Sequence, residues 1–157
     1  HAAEPSGFSW RPMQAGAFGG PSLEMLSPAA DGLIRLIDGY SASVGVDSTQ
    51  FDVIGFSQGA AMVNVLGMLH PNRIRKMAAL AGFVPAGLES VVAQKPLTGK
   101  RIFVAHGTRD QMIPLDRAHA SMALLEQAGA QVTYYEEEVG HKLGAAGMRA
   151  LENYLQD

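Results

Sequence analysis

Short apolar, β-prone runs alternate along this chain with longer segments in which apolar residues return at helical spacing. From Ser27-Pro28, read as an N-cap followed by proline at the first helical position, Ala29, Leu33, Ile34, Leu36 and Ile37 predict an amphipathic helix. That helix is expected to end between Tyr40 and Gly45, and Asp47-Ser48-Thr49 reads as a turn. Phe51–Phe56 is expected as a buried strand, and the run from Ala60 as a helix reaching about His70, where Pro71 closes it. Further strands are expected over Lys76 to Phe83, Arg101 to Ala105 and Gln131 to Tyr135. Gly82 to Gly87 reads as a loop and Leu88 to Gln94 as a short helix. Leu115 to Gln127 is a helix stopped by Gly129, and a last helix runs through Met148, Leu151, Tyr154 and Leu155. Strands alternating with helices predict an α/β fold, with a mostly parallel sheet flanked by helices and joined by right-handed crossovers.

The segment from His1 to Pro21 breaks this pattern. It is rich in proline and glycine, and Phe8, Trp10 and Phe18 stand among few aliphatics. It reads as a loop-like N-terminal segment in which Phe8 and Trp10 favour packing along a pocket over a frayed end. The remainder completes a single domain spanning all 157 residues, 47% of them hydrophobic and 17% charged, enough for a substantial core. A net charge of −3 without a basic block argues against nucleic acid or an anionic membrane as partner, and no apolar run is long enough to span a bilayer. With no cysteine, disulfides, thiolate metal sites and a cysteine nucleophile are excluded. No signal-like segment follows His1, and a cytoplasmic location is the expectation.

Chemistry concentrates where Phe51–Phe56 gives way to the next helix. Gly55-Phe56-Ser57-Gln58-Gly59 is a G-x-S-x-G pattern, and a serine at so sharp a turn calls for glycine on either side. The turn lifts the hydroxyl out of the sheet, and the Gln58 backbone N–H is placed to meet an oxyanion. A Gly-rich turn whose serine merely caps a helix is the competing reading. In an open α/β sheet ligands gather at the carboxyl ends of the strands, and three polar residues fall there in the order Ser57, Asp110, His141. That is the chain order of a nucleophile-elbow hydrolase, in which histidine takes the serine's proton and the carboxylate fixes the imidazole tautomer. Each has rivals. His70 and His119 lie within predicted helices and read as surface residues, while His106, followed by Gly107, reads as a loop-holding histidine. Asp116 reads as a helix cap, and Glu136, Glu137 and Glu138 as a solvated strand end.

Three ordered motifs, Gly55–Ala60 (GFSQGA), His106–Pro114 (HGTRDQMIP) and Val139–His141 (VGH), resemble the phospholipase/carboxylesterase family of α/β-hydrolases, which includes bacterial carboxylesterases and acyl-protein thioesterases. The similarity runs from about Trp10 to the C-terminus, and the family's serine, acid and base fall on Ser57, Asp110 and His141. The resemblance implies an α/β-hydrolase fold without a large lid domain, and hydrolysis of carboxylic esters or thioesters with no cofactor and no metal. A small open site would suit short acyl chains, with Phe56, Met112, Leu143 and Trp10 as candidates to line it. Family members carry further strands before the segment matching His1 to Pro21, and one of their turns, a His-Gly motif, supplies a second oxyanion donor that nothing here matches. The chain is therefore expected to be the C-terminal part of a longer hydrolase, with the Phe51–Phe56 strand open along one edge. A homodimer covering that edge is the expected assembly. Loss of one oxyanion donor lowers activity by about 10²–10³-fold unless another group replaces it, so a catalytically impaired binding module is the alternative.

Overall fold

A computed structural model describes Trp10 and residues 20–157, together with the backbone of Ala2–Glu4 and Gly7–Ser9. Those last two stretches, β1 (Ala2–Glu4) and β2 (Gly7–Ser9), form an antiparallel ladder pairing Ala2 with Ser9 and Glu4 with Gly7, where the sequence reads as loop. Strands of three residues are too short to display a two-residue period. The Phe8 side chain, expected to pack along a pocket, and Phe18 lie outside the described residues.

The helix α1 (Leu23–Val44) starts one turn and more before the expected Ser27-Pro28 cap. Ser22 is the N-cap, its hydroxyl accepting from the Met25 N–H at 3.4 Å, and the Leu23 N–H donates to the Ala86 carbonyl at 2.8 Å. Pro28 therefore lies inside the helix. An interior proline strips the Glu24 carbonyl of its donor, but both residues are exposed, so water can satisfy that oxygen. Leu26, Ala30 and Ile34 face the core, and burying a leucine or isoleucine side chain contributes about 1.5–3 kcal/mol against that cost. Gly45, at φ +71°, ends the helix, and Asp47 accepts from both the Thr49 N–H and hydroxyl to make the expected turn.

The strands β3 (Phe51–Phe56), β4 (Ile74–Leu80), β5 (Arg101–Gly107) and β6 (Gln131–Glu137) pair in chain order, all parallel. Between them lie α2 (Gln58–Leu69), α3 (Glu89–Val92) and α4 (Leu115–Gln127), and α5 (Ala145–Gln156) follows β6. β4 ends before the expected Phe83, because Ala81 turns to φ +47° and its N–H crosses to the Ala105 carbonyl. Consecutive residues of the central strand β5 feed opposite faces. Ile102 and Val104 join the core under α1, α2 and α4, while Phe103 and Ala105 join Ala78, Leu80, Leu151 and Tyr154 beneath α5.

α2 is buried nearly all round, from Ala60 to Met68, because it is wedged between the sheet and α1. At the far end of α5 the Tyr154 hydroxyl lies 2.8 Å from the Arg101 carbonyl and 3.0 Å from that of Met77, and accepts from the Met77 N–H at 3.2 Å. That locks the helix across β4 and β5. Among the described residues β3 pairs only with β4, and Ile54 and Phe56 on its outer part are exposed. No described helix is long and apolar enough to cross a membrane.

Candidate active site

Ser57 stands between the last residue of β3 and the first of α2, at φ +56° and ψ −117°. A non-glycine residue held there costs about 1–3 kcal/mol, so the surroundings must impose it. The Ser57 N–H donates to the Leu80 carbonyl at 2.9 Å, and the Ser57 carbonyl accepts from Ala60 and Ala61. A methyl group on Gly55 would strike the backbone of Gly59, and one on Gly82 would strike the Ala60 side chain. The second glycine of the motif is different, for among the described residues a methyl on Gly59 meets no atom within 4 Å outside its own helix backbone and chain neighbours. Crowding therefore demands glycine before the serine and after β4, not on both sides of the serine. The Ser57 side chain makes no capping bond to α2, which removes the helix-cap reading.

The acid arises where β5 ends. A methyl on Gly107 would overlap the carbonyls of Val139 and Gly140, so only glycine lets the loops after β5 and β6 lie this close. Two backbone bonds stitch them, Thr108 N–H to the Glu137 carbonyl at 2.9 Å and Arg109 N–H to that of Val139 at 3.0 Å. Asp110 is thereby buried, with its Oδ1 accepting from the N–H groups of Met112 at 2.8 Å and Ile113 at 3.0 Å. Burial, the largest single influence, pushes its carboxyl up. The Ile113 N–H, His141 and the Met112 N–H together outweigh it and hold the group below the usual aspartate range.

His141 joins the two. Its Nδ1 lies 2.7 Å from Asp110 Oδ2 and its Nε2 lies 2.9 Å from Ser57 Oγ. A carboxylate only accepts, so Nδ1 carries the proton and Nε2 is left to accept from the serine hydroxyl. The Phe56 ring tilts at 54° against the imidazole, 4.9 Å between centroids. This arrangement can deprotonate a serine as it attacks a carbonyl carbon and return the proton to a leaving group.

The other candidates fall as follows. Gln58 is the first residue of α2, where backbone N–H groups point out of the helix end. Trp10 is half-buried against the larger core cluster, and its backbone N–H donates to Gln58 Oε1 at 3.4 Å. Met112 is 72% exposed beside the acid loop, whereas Leu143 packs into the cluster beneath α5 and against Gly147. His70 and His119 are surface histidines as expected, paired with Asp31 at 3.0 Å and Glu136 at 2.6 Å.

Asp116 is not the cap of α4. Pro114 occupies that position and Asp116 lies in the first turn, accepting from the Arg117 N–H. Nor is Glu137 merely solvated, since its carboxylate accepts from the Gly147 N–H at 3.0 Å in the first turn of α5. No group of three or more His, Asp or Glu among the described residues could hold a metal ion.

A family model described as Phospholipase/Carboxylesterase matches residues 7–157. The chain is 26% identical over 115 residues to carboxylesterase SOBER1 of Arabidopsis thaliana, covering 71% of the chain and 50% of that protein. It is 28% identical over 118 residues to acyl-protein thioesterase 1 of Yarrowia lipolytica, covering 72% of the chain and 52% of that protein. Among solved structures, the Bacillus cereus carboxylesterase superposes with a TM-score of 0.78 at 26% identity, over 93% of the chain and 68% of that one. A carboxylesterase from Mesorhizobium loti shares the fold, with a TM-score of 0.81 at 21% identity over 98% and 71% of the two chains. The chain spans about half the length of the curated relatives it matches.

Proposed function

The chain belongs to the phospholipase/carboxylesterase family, and we propose that it hydrolyses short-chain carboxylic esters through an acyl-enzyme on Ser57. The observation that carries this reading is the unbroken line of hydrogen bonds from Ser57 through His141 to Asp110. Ser57 Oγ attacks the acyl carbon while His141 Nε2 takes its proton, and Asp110 stabilises the imidazolium. The Gln58 N–H receives the oxyanion. Collapse of the tetrahedral intermediate breaks the bond to the alcohol, which leaves with the proton from His141. Water, deprotonated by the same nitrogen, then attacks the acyl-serine and releases the carboxylic acid.

Phe56, Met112, Trp10 and Leu143 are the residues proposed to line the site for a small acyl group, a reading supported by the Phe56 ring against His141 and the exposure of Met112 beside the acid loop. Pairing of two copies through β3 is the assembly proposed to cover the edge that no described strand pairs, and sedimentation as a stable monomer would remove it. A cytoplasmic location goes with this reading and is tested by cell fractionation.

The test is hydrolysis of p-nitrophenyl butyrate beside intact-mass analysis after fluorophosphonate treatment. Turnover and a single adduct are expected, both abolished in Ser57→Ala with its fold intact. Hydrolysis that survives the substitution overturns the assignment, and a folded chain that takes no adduct points instead to an impaired, hydrolase-derived binding module. Similarity to acyl-protein thioesterase 1 favours a second reading, thioester or lysophospholipid hydrolysis by the same triad. Matched oxygen and sulfur esters of one acid, assayed in parallel, separate the two.

A further inference from the structure

His106 is the penultimate residue of β5 and is 3% exposed, yet no step of ester hydrolysis uses it. Its Nε2 lies 2.9 Å from the Ile113 carbonyl. A carbonyl only accepts, so Nε2 carries the imidazole proton and donates it. The same nitrogen stands 3.6 Å from Asp110 Oδ2, the oxygen that faces His141, with both side chains wholly buried. Ile113 is the residue whose N–H holds Asp110 Oδ1. His106 thus grips the far end of the short loop from Asp110 to Ile113, while that loop's own N–H groups grip the carboxylate.

Burying an imidazole carries a cost that its bonds here only half meet, because Nδ1 has no hydrogen-bond partner among the described residues. A phenylalanine or leucine would fill the same space without that cost. The polar ring is therefore explained by what Nε2 does. We propose that His106 is a positioning residue of the hydrolase, holding the Asp110–Ile113 loop so that Asp110 presents Oδ2 to His141 Nδ1.

The proposal rests on the serine-hydrolase reading, and its test reads the Asp110–His141 bond directly as well as through reactivity. Glutamine carries its amide nitrogen about as far from the backbone as Nε2, whereas asparagine stops near the position of Nδ1 and falls short of the Ile113 carbonyl. His106→Phe, His106→Gln and His106→Asn are compared in the full chain for thermal stability, for fluorophosphonate labelling rate and for the deshielded proton resonance of His141 Nδ1. In His106→Phe, labelling is expected to slow by about 10- to 100-fold and the resonance to weaken or move upfield. His106→Gln is expected to recover much of both, and His106→Asn little. A folded His106→Phe with unchanged resonance and labelling overturns the proposal. Should His106→Phe not fold, equal behaviour of the glutamine and asparagine variants overturns it. If the unsubstituted chain takes no label, the hydrolase reading fails on its own, and the resonance still decides whether His106 sets the Asp110–His141 contact.

Discussion

Asp110 reaches His141 with one oxygen only: Oδ2 stands 2.7 Å from Nδ1, while Oδ1 is held by the N–H groups of Met112 and Ile113. Neither oxygen is interchangeable with a nitrogen. In Asp110→Asn, an amide turned one way sets its NH2 against two backbone donors, and turned the other way it forces a proton onto His141 Nε2. Either outcome spoils proton acceptance from Ser57. We expect kcat for p-nitrophenyl butyrate to fall by about 10⁴-fold, together with a modest fall in melting temperature as the ionised carboxylate's bonds are lost.

The glycines of the G-x-S-x-G turn are unequal. Gly55→Ala drives a methyl into the Gly59 backbone and is expected to cost about 1–3 kcal/mol along with activity. Gly59→Ala meets no described atom outside its own first turn of α2 and is expected to be neutral or stabilising by about 0.5–1 kcal/mol. Urea unfolding of the two variants checks the contrast, and equal losses would show that the turn is crowded from both sides.

Four carboxylates among the described residues are held below their ordinary range, the exposed Asp47 by its bonds from Thr49. Asp110 is one, and Asp52 is depressed by hydrogen bonding to Arg75, and Glu136 by His119. A group with a depressed folded value contributes stability that is present above its unfolded value and lost as pH falls through the folded one. With unfolded values of about 4, the contribution of these carboxylates to the urea midpoint should be constant from neutrality to about pH 5 and fall away below about pH 4. Asp52→Asn, which leaves the active site alone, should flatten part of that acid limb.

The tether of α5 gives a stability prediction separate from catalysis. In Tyr154→Phe the Met77 N–H and the carbonyls of Met77 and Arg101 lose a shared partner in the core, at a cost of about 1–3 kcal/mol. Labelling of Ser57 should persist at temperatures where the variant remains folded. Calorimetry alongside the labelling assay makes the check.

What could be read from residues alone depended on how local the cause was. Leu115–Gln127 carries its own period and its own stop at Gly129, and the helix forms over those residues. Ser57, Asp110 and His141 were legible because strand ends in a parallel sheet converge wherever the pattern of runs places them. The start of α1 was not. Ser27-Pro28 has the local form of a cap, but the Ala86 carbonyl, 63 residues from Leu23 in the chain, draws the helix back to Ser22. The grip of His106 on Ile113 was foreshadowed only as a loop bond, since its distance from Asp110 emerges when the loop closes. Gly107 held the strongest unread signal, a glycine whose absent side chain brings two loops into contact.

The all-parallel order of β3, β4, β5 and β6 also governs when the site comes into being. Ser57 and His141 are 84 residues apart, Asp110 and His141 31, and no two of these four strands are joined by a hairpin. Each pairing must close a long crossover loop before its contacts begin to compensate for the lost chain entropy, which places such topologies among the slower folders. No short stretch of chain holds the three side chains together. On dilution from urea, reactivity at Ser57 should therefore return with the last sheet pairing, well after helix signals have recovered, and so serve as a clock for completion of the fold.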